Sequence, residues 1–96
     1  MHVVRVMISG RVQGVSYRAW CARTAQRLCL SGWVRNRLNG QVEAVFSGSA
    51  ADITTMLEAC QKGPAAARVE NISRHDATQD DLLQAEHTRF TILETL

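Results

Sequence analysis

The sequence predicts an α+β fold of the ferredoxin-like, split βαβ (βαββαβ) type, in which two helices cover one face of a mainly antiparallel sheet. Segments of alternating apolar residues are interrupted twice by segments of helical spacing. The resulting order is strand, helix, strand, strand, helix, strand, with one further strand near the end. The 96 residues contain one proline and no internal repeat, so we expect a single domain over 1–96. A fold of this kind hosts many functions and by itself selects none.

The N-terminal residues predict a strand followed by a helix. Every even-numbered position of residues 3–9 is apolar, which is the period of a strand with one buried face. Residues 17–28 carry apolar side chains at helical spacing and polar side chains on the opposite side. We expect Ser31 and Gly32 to end this helix.

A hairpin and a second helix are predicted next. Residues 33–37 and 41–47 each predict a strand, and the Asn-Gly pair at 39–40 between them is a strong signal for a tight turn. Ser49 has the spacing of a helix N-cap, and apolar residues follow it at helical intervals. The Gly-Pro pair at 63–64 is expected to end this second helix.

The C-terminal third is less regular. Residues 66–74 predict a fourth strand. The polar residues 76–87 fit either a loop or a short helical turn. Residues 89–94 predict a final strand with Phe90 and Ile92 on one face.

Charge is distributed unevenly along the chain, although the net charge is only +2. Residues 1–42 contain seven arginines and no Asp or Glu, whereas residues 43–96 contain all nine acids and four basic residues. Six of the seven arginines lie between Arg11 and Arg37. Because such a segment gives a positive field to any cleft that it lines, we expect an anionic partner, either a nucleic acid or a small phosphate ester.

Other features exclude several classes of protein. The three cysteines are an odd number without metal-ligand spacing, and the histidines are scattered, so we expect a reduced, cytoplasmic protein without a metal. No apolar stretch approaches the roughly 20 residues of a membrane-spanning helix. The strand pattern begins at the N-terminus, so we expect no signal peptide.

The loop before the first helix, GRVQGVSYR at residues 10–18, has the chemistry of an anion site. The N-terminus of a helix carries unpaired amides and partial positive charge. Gly10 and Gly14 allow positive φ and a close approach of these amides, and Arg18 adds a planar fork of donors. The loop is neither a Walker A motif nor a dinucleotide fingerprint. The plainer alternative is an ordinary turn whose arginines are solvated.

Three other residues have both a chemical and a structural interpretation. Ser16 is a candidate nucleophile, but loop serines usually bond to backbone and no base is identifiable. Cys21 lies on the apolar face of the predicted helix, which favours a buried structural thiol over a reactive one. Asn36, at the end of a strand before a turn, has the position of an ordinary turn residue.

Two longer segments are similar to the signatures of the acylphosphatase family. ISGRVQGVSYR at 8–18 resembles the first signature, and GWVRNRLNGQVEAVFSG at 32–48 resembles the second. The pair GP followed by ARVENI also stands where the family places it, so the resemblance covers essentially the whole chain. This sequence departs from the family at Tyr17, where Phe is usual, and in having Asn before Gly40 in place of Asp. Residues 76–88 give no clear alignment.

The resemblance implies hydrolysis of acyl phosphates to a carboxylate and inorganic phosphate, without metal or cofactor. It implies that Arg18 binds the phosphate oxygens and that Asn36 holds the attacking water. The main-chain amides that would wrap the phosphoryl group are those of Gln13, Gly14, Val15, Ser16, Tyr17 and Arg18. Phosphoryl transfer depends mainly on positioning and charge stabilisation, and a carboxylate leaving group needs little protonation. The absence of an obvious general base in residues 1–42 therefore fits, since an oxygen of the substrate phosphate can take the proton.

The expected partners are an acyl phosphate as substrate and inorganic phosphate as product or inhibitor, with no nucleic acid and no membrane, and we expect a monomer. One alternative is a non-catalytic RNA- or phosphate-binding module, because RNA-recognition domains share the split βαβ fold. Against it, the third strand, QVEAVFS, has a single aromatic residue. A second alternative is a domain of a larger protein such as a hydrogenase-maturation carbamoyltransferase, which the short chain disfavours.

Overall fold

The computed structural model describes residues 1–83 and 89–96, and these residues form five strands and three helices. The strands are β1 (His2–Arg11), β2 (Ser31–Asn36), β3 (Val42–Gly48), β4 (Arg68–Asp76) and β5 (Thr91–Ile92). The helices are α1 (Tyr17–Arg27), α2 (Ala50–Lys62) and α3 (Gln79–Leu82). The strands form one sheet in the order β4-β1-β3-β2-β5, antiparallel except for the parallel pair β2–β5. The predicted α+β class is confirmed.

The core lies between the sheet and the pair α1 and α2. The alternation predicted for the first strand places Val6 and Ile8 on the covered face, where both are fully buried. Tyr17 of α1 and Met56 of α2 pack into the same cluster. Other buried members are Cys21, Ala25, Val34, Val42, Ala44, Phe46, Ile53 and Cys60. Removal of this apolar surface from water is the main favourable contribution to the fold.

The opposite face of the sheet is partly covered as well, which the two-helix prediction did not include. Val34 belongs to the core, so its neighbour Trp33 points to the other side of β2. Trp33 is 1% exposed, and its Nε1 donates a hydrogen bond to the Asp81 carbonyl of α3 at 2.7 Å. The helix α3, which follows β4, therefore lies over this face of the sheet.

The end of the first helix differs from the prediction, since Ser31 and Gly32 already belong to β2. Cys29 ends the helix instead, in a left-handed conformation with φ 57°. The amide of Cys29 donates to Gln26 O at 3.0 Å, and the amide of Leu30 donates to Ala25 O at 3.0 Å. This pair of bonds is a Schellman motif, in which glycine usually takes the left-handed position.

The second helix begins and ends where the sequence predicts. The Ser49 hydroxyl accepts a hydrogen bond from the Asp52 amide at 3.1 Å, and Gly63 ends the helix with φ 63°. Of the two alternatives for residues 76–87, the short helical turn is confirmed in α3, which a capping box of Thr78 and Asp81 opens. The rest of that segment, residues 84–87, lies outside the described residues, as does residue 88.

The last strand is shorter than predicted, because only Thr91 and Ile92 pair with β2. Phe90 is buried and stacks on Phe46 with 5.4 Å between ring centroids. Ile92, predicted on the same face, is 45% exposed.

No helix among residues 1–83 and 89–96 is long and apolar enough to cross a membrane.

Candidate active site

A cleft of about 420 Å³ opens where the loop after β1, the first turn of α1 and the ends of β2 and β5 meet. Its lining residues are Val12, Gly14, Ser16, Tyr17, Arg18, Ala19, Asn36 and Ile92. The two predicted side chains, Arg18 and Asn36, thus face one cleft although they are 18 positions apart in the sequence. Gln13 and Val15, whose amides were also predicted to hold the phosphoryl group, are not among the lining residues.

The loop before α1 presents amides that have no partner. Gly14 and Ser16 both have left-handed backbones, with φ 74° and 66°. Ser16 is the N-cap of α1, but its side chain does not cap the helix. Across residues 1–83 and 89–96, no acceptor receives a hydrogen bond from the amides of Gly14, Val15 or Ser16. Such amides at a helix N-terminus are suited to an anion.

Gly10 serves the sheet rather than the cleft. The register between β1 and β4 shifts between Ser9 and Gly10, where φ is 124°. A Cβ at this position would lie 2.2 Å from the Arg68 carbonyl oxygen of β4. Positive φ is confirmed at Gly10, although the residue itself does not line the cleft.

Arg18, at the start of α1, is a cation without a partner among the described residues. The first turn of this helix contains no acidic residue, and the cleft is lined by no Asp or Glu of the described chain. The Arg18 guanidinium makes no ion pair or hydrogen bond with the residues that the structure describes. Its donors are therefore available to a ligand in the cleft.

Asn36 is the last residue of β2, and its side chain carries the other unusual feature of the cleft. The Asn36 Oδ1 atom is buried, yet it meets no donor within the described part of the chain. Leaving a buried acceptor unpaired costs about 1–3 kcal/mol, and such atoms are rare in folded proteins. The Asn36 backbone is fixed, because its carbonyl accepts from the Leu96 amide at 3.1 Å. The amide oxygen is thus held ready for a small donor.

The Gln13 side chain ties the loop to the hairpin, a role that the sequence analysis missed. Its Nε2 donates to the carbonyl oxygens of Arg37 at 2.8 Å and of Gln41 at 2.9 Å. Gln41 in turn donates from Nε2 to the Ser9 hydroxyl of β1 at 2.7 Å. These bonds join β1 and the loop after it to the hairpin that contains Asn36. They therefore restrain the position of the loop amides relative to Asn36. Glutamine in a loop carries no sequence signal for such a clamp.

A comparison of the sequence with protein families shows which family contains this chain. The Acylphosphatase family model matches residues 4–92. The chain belongs to the acylphosphatase family. Curated acylphosphatases include one from Rhodopseudomonas palustris, 55% identical over 93 residues, which span 96% of this chain and 94% of the relative. One from Bradyrhizobium diazoefficiens is 42% identical over 95 residues, 98% of this chain and 96% of the relative. The resemblance inferred from the two signatures is confirmed.

Solved structures agree with this assignment. The crystal structure of the Bacillus subtilis acylphosphatase has a TM-score of 0.84 and 30% identity, covering 97% of this chain and 99% of that one. A full-length HypF structure has a TM-score of 0.77 and 22% identity, but this chain spans only 12% of it. The second similarity shows the fold alone. As a member of the acylphosphatase family, the chain is a hydrolase.

The departure from the acylphosphatase pattern at Tyr17 is accommodated in the core. The Tyr17 hydroxyl donates to the Cys60 carbonyl oxygen at 2.7 Å, and burial, with Cys60 nearby, raises the Tyr17 pKa far above its usual value. A hydrogen bond with Cys60 and burial likewise raise the pKa of the Cys21 thiol. Cys21 is fully buried and stays protonated, which fits the structural role that was predicted for it.

The other chemical alternatives find no support in the cleft. Ser16 lines it, but no histidine or carboxylate of the described residues lines it as well, so Ser16 has no base there. In the two described ranges, no group of three or more His, Cys, Asp or Glu side chains is placed to hold a metal ion.

Three arginines of the acid-free segment are directed away from the cleft. Glu43 of β3, 5% exposed, binds Arg35 Nε at 2.9 Å, Arg37 at 3.2 Å and Arg5 at 2.9 Å. Because side chains alternate along an extended chain, Arg35 of β2 and Arg37, directly after the strand, point to the other face of the sheet from Asn36. Of the seven arginines in residues 1–42, Arg18 is the one that lines the cleft. Fewer arginines therefore contribute positive charge to the cleft than the count of arginines in residues 1–42 suggested.

We expect Glu43→Gln to lower the free energy of unfolding by about 3 kcal/mol, because the mostly buried guanidinium of Arg35 loses its ion pair with the Glu43 carboxylate. Urea unfolding measures this change. The matched control is Glu58→Gln, an exposed α2 glutamate without an ion pair among the described residues, which should change stability by no more than about 0.5 kcal/mol. Equal effects of the two substitutions would contradict a stabilising role of the Glu43 cluster.

Proposed function

We propose that the cleft hydrolyses acyl phosphates to a carboxylate and inorganic phosphate. Arg18 and the amides of residues 13–18 hold the phosphoryl group, and Asn36 positions the attacking water. The observation that supports this proposal is a single juxtaposition. A guanidinium and a buried amide oxygen, neither with a partner in residues 1–83 and 89–96, face one cleft at a helix N-terminus.

Arg18 and the loop amides act on the charge of the phosphoryl group. A planar guanidinium binds two phosphate oxygens at once, and amides fixed by the backbone need no reorganisation when charge develops on the transferring group. The left-handed residues Gly14 and Ser16 keep these amides from bonding to the chain itself. The site is therefore organised before the substrate binds.

Asn36 acts on the water. Its Oδ1 accepts a hydrogen bond from the water, and a lone pair of the water oxygen is then directed at phosphorus. The water oxygen forms the new bond to phosphorus as the bond from phosphorus to the acyl oxygen breaks, and the electron pair leaves with the carboxylate. The proton of the water passes to a phosphate oxygen of the substrate. No stronger base is needed, because the carboxylate is a good leaving group.

Further properties follow as proposals. Inorganic phosphate presents the same oxygens as the substrate, so it inhibits competitively. Residues 1–96 form one domain that acts as a monomer without a cofactor and without nucleic acid or membrane partners. A reducing cytoplasm is the location that suits its cysteines, since Cys21, Cys29 and Cys60 are all unpaired.

The alternative of an RNA-binding module loses its main support. Arg5, Arg35 and Arg37 lie on the sheet face opposite α1 and α2, but each is paired with Glu43. On the same face, the indole of Trp33 is buried beneath α3 and is not available to stack on a base. The charge excess that suggested a nucleic acid is thus partly neutralised within the fold.

The test is hydrolysis of benzoyl phosphate by the purified protein in excess EDTA. We expect saturable hydrolysis that EDTA does not reduce and that inorganic phosphate inhibits. Hydrolysis no faster than the uncatalysed rate would refute the proposal, and salt-dependent RNA binding would then be the next measurement.

A further inference from the structure

One large apolar side chain in the cleft takes no part in the core. Among the described residues, the exposed large apolar side chains are Met1, Leu38, Leu83, Ile92 and Leu96. Of these, Ile92 lines the cleft. Its 45% exposure contrasts with Phe90, two residues earlier, which is 2% exposed. An apolar side chain kept in water next to a polar site is a favourable surface for an apolar ligand group.

The lining of the cleft combines polar and apolar groups. Arg18, Asn36 and the loop residues Gly14 and Ser16 provide its polar groups. Val12, Ala19 and Ile92 provide apolar groups, but Val12 is 1% exposed and Ala19 offers only a methyl group. Ile92 is therefore the main accessible apolar surface of the cleft.

The backbone holds Ile92 in a fixed relation to Asn36. Ile92 pairs with Val34 of β2, two residues before Asn36. The hydrogen bond from the Leu93 amide to Val34 O at 2.9 Å continues this pairing, and Leu96 bonds to Asn36 O beyond it. A β-branched side chain on a paired strand has few rotamers, so its surface is presented with little loss of freedom.

We propose that Ile92 contacts the acyl group of the substrate and favours acyl phosphates whose acyl group is apolar. This inference rests on the proposed hydrolysis, in which Arg18 and the loop amides hold the phosphoryl group and the acyl group extends beyond them. Arg18 is the one charged side chain lining the cleft in the described chain, and the phosphate engages it.

The experiment compares benzoyl phosphate with acetyl phosphate, which has only a methyl group to bury. We expect Ile92→Ala to raise KM for benzoyl phosphate about fivefold with little change in kcat, since a contact made equally before and in the transition state affects binding alone. Kinetics with acetyl phosphate and inhibition by inorganic phosphate should stay within twofold of the unchanged protein. Leu83→Ala, which truncates an exposed leucine away from the cleft, is the matched control and should alter neither substrate.

Ile92→Thr is a control for an effect on the strand, because threonine keeps the β-branch and reduces the apolar surface. It should raise KM for benzoyl phosphate, as Ile92→Ala does. An unchanged ratio of kcat/KM for the two substrates in both Ile92 variants would overturn the acyl contact and leave the hydrolase proposal intact. Failure of the unchanged protein to hydrolyse either substrate would overturn both.

Discussion

Arg18→Ala is expected to lose phosphate binding and turnover together. The guanidinium lines the cleft and has no partner in the part of the chain that the structure describes, so its donors are available to the ligand. Because it contacts phosphate oxygens both in the bound substrate and as charge develops, its removal should lower kcat/KM by about a thousandfold. Steady-state kinetics measure the turnover, and titration calorimetry with inorganic phosphate measures the binding.

Two further variants separate a specific contact from a general loss of charge. Arg23→Ala removes the same charge from an exposed position of the same helix, and it should retain nearly all activity. Arg18→Lys keeps the charge but loses the planar fork, and it should fall between the unchanged protein and Arg18→Ala. If Arg23→Ala weakened phosphate binding as much as Arg18→Ala, the long-range field rather than the fork would hold the anion.

The sequence predicted the parts of the fold that depend on regular periodicity. The period-2 pattern of β1 and the apolar spacing of α1 and α2 are set by one buried face each, so they are visible in the residues themselves. The Asn-Gly turn and the Gly-Pro helix stop were equally direct, because few residues adopt those conformations. The resemblance to the two family signatures then predicted roles for Arg18 and Asn36, which the fold places in one cleft.

The features that were missed depend on contacts between distant segments. Cys29 ends α1 in a conformation that usually belongs to glycine, so the sequence pointed to the next glycine instead. The Gln13 clamp joins residues 24 and 28 positions apart, and Arg5 lies 38 positions from Glu43, so neither contact has a local pattern. Ile92 alternates correctly for a buried strand, but β5 lies at the edge of the sheet, where the core no longer covers it.

Asn36→Ala is expected to remove turnover and spare phosphate binding. The amide oxygen holds the water, whereas the phosphate is held by Arg18 and the loop amides, so the two functions separate. We expect kcat to fall by about a hundredfold to a thousandfold, as when a positioned polar group is removed from other active sites. The inhibition constant for inorganic phosphate should remain within twofold of its original value.

The same variant should not lose stability. The Asn36 Oδ1 atom is buried without a donor in the described residues, so its removal abolishes an unfavourable burial. We expect the free energy of unfolding to rise by about 1 kcal/mol, measured by urea denaturation. Asn71→Ala, at an exposed position of β4, is the matched control and should leave both kcat and stability unchanged.

This opposition between activity and stability is what distinguishes the functional role of Asn36 from a structural one. A turn residue that satisfies its local backbone would lower stability when it is truncated and would leave the kcat of the folded protein unchanged. A residue kept unpaired for a bound water should do the reverse, since active sites retain groups that do not favour folding. Reduced stability with normal kcat in Asn36→Ala would therefore overturn the water-holding role, whatever the activity of Arg18→Ala.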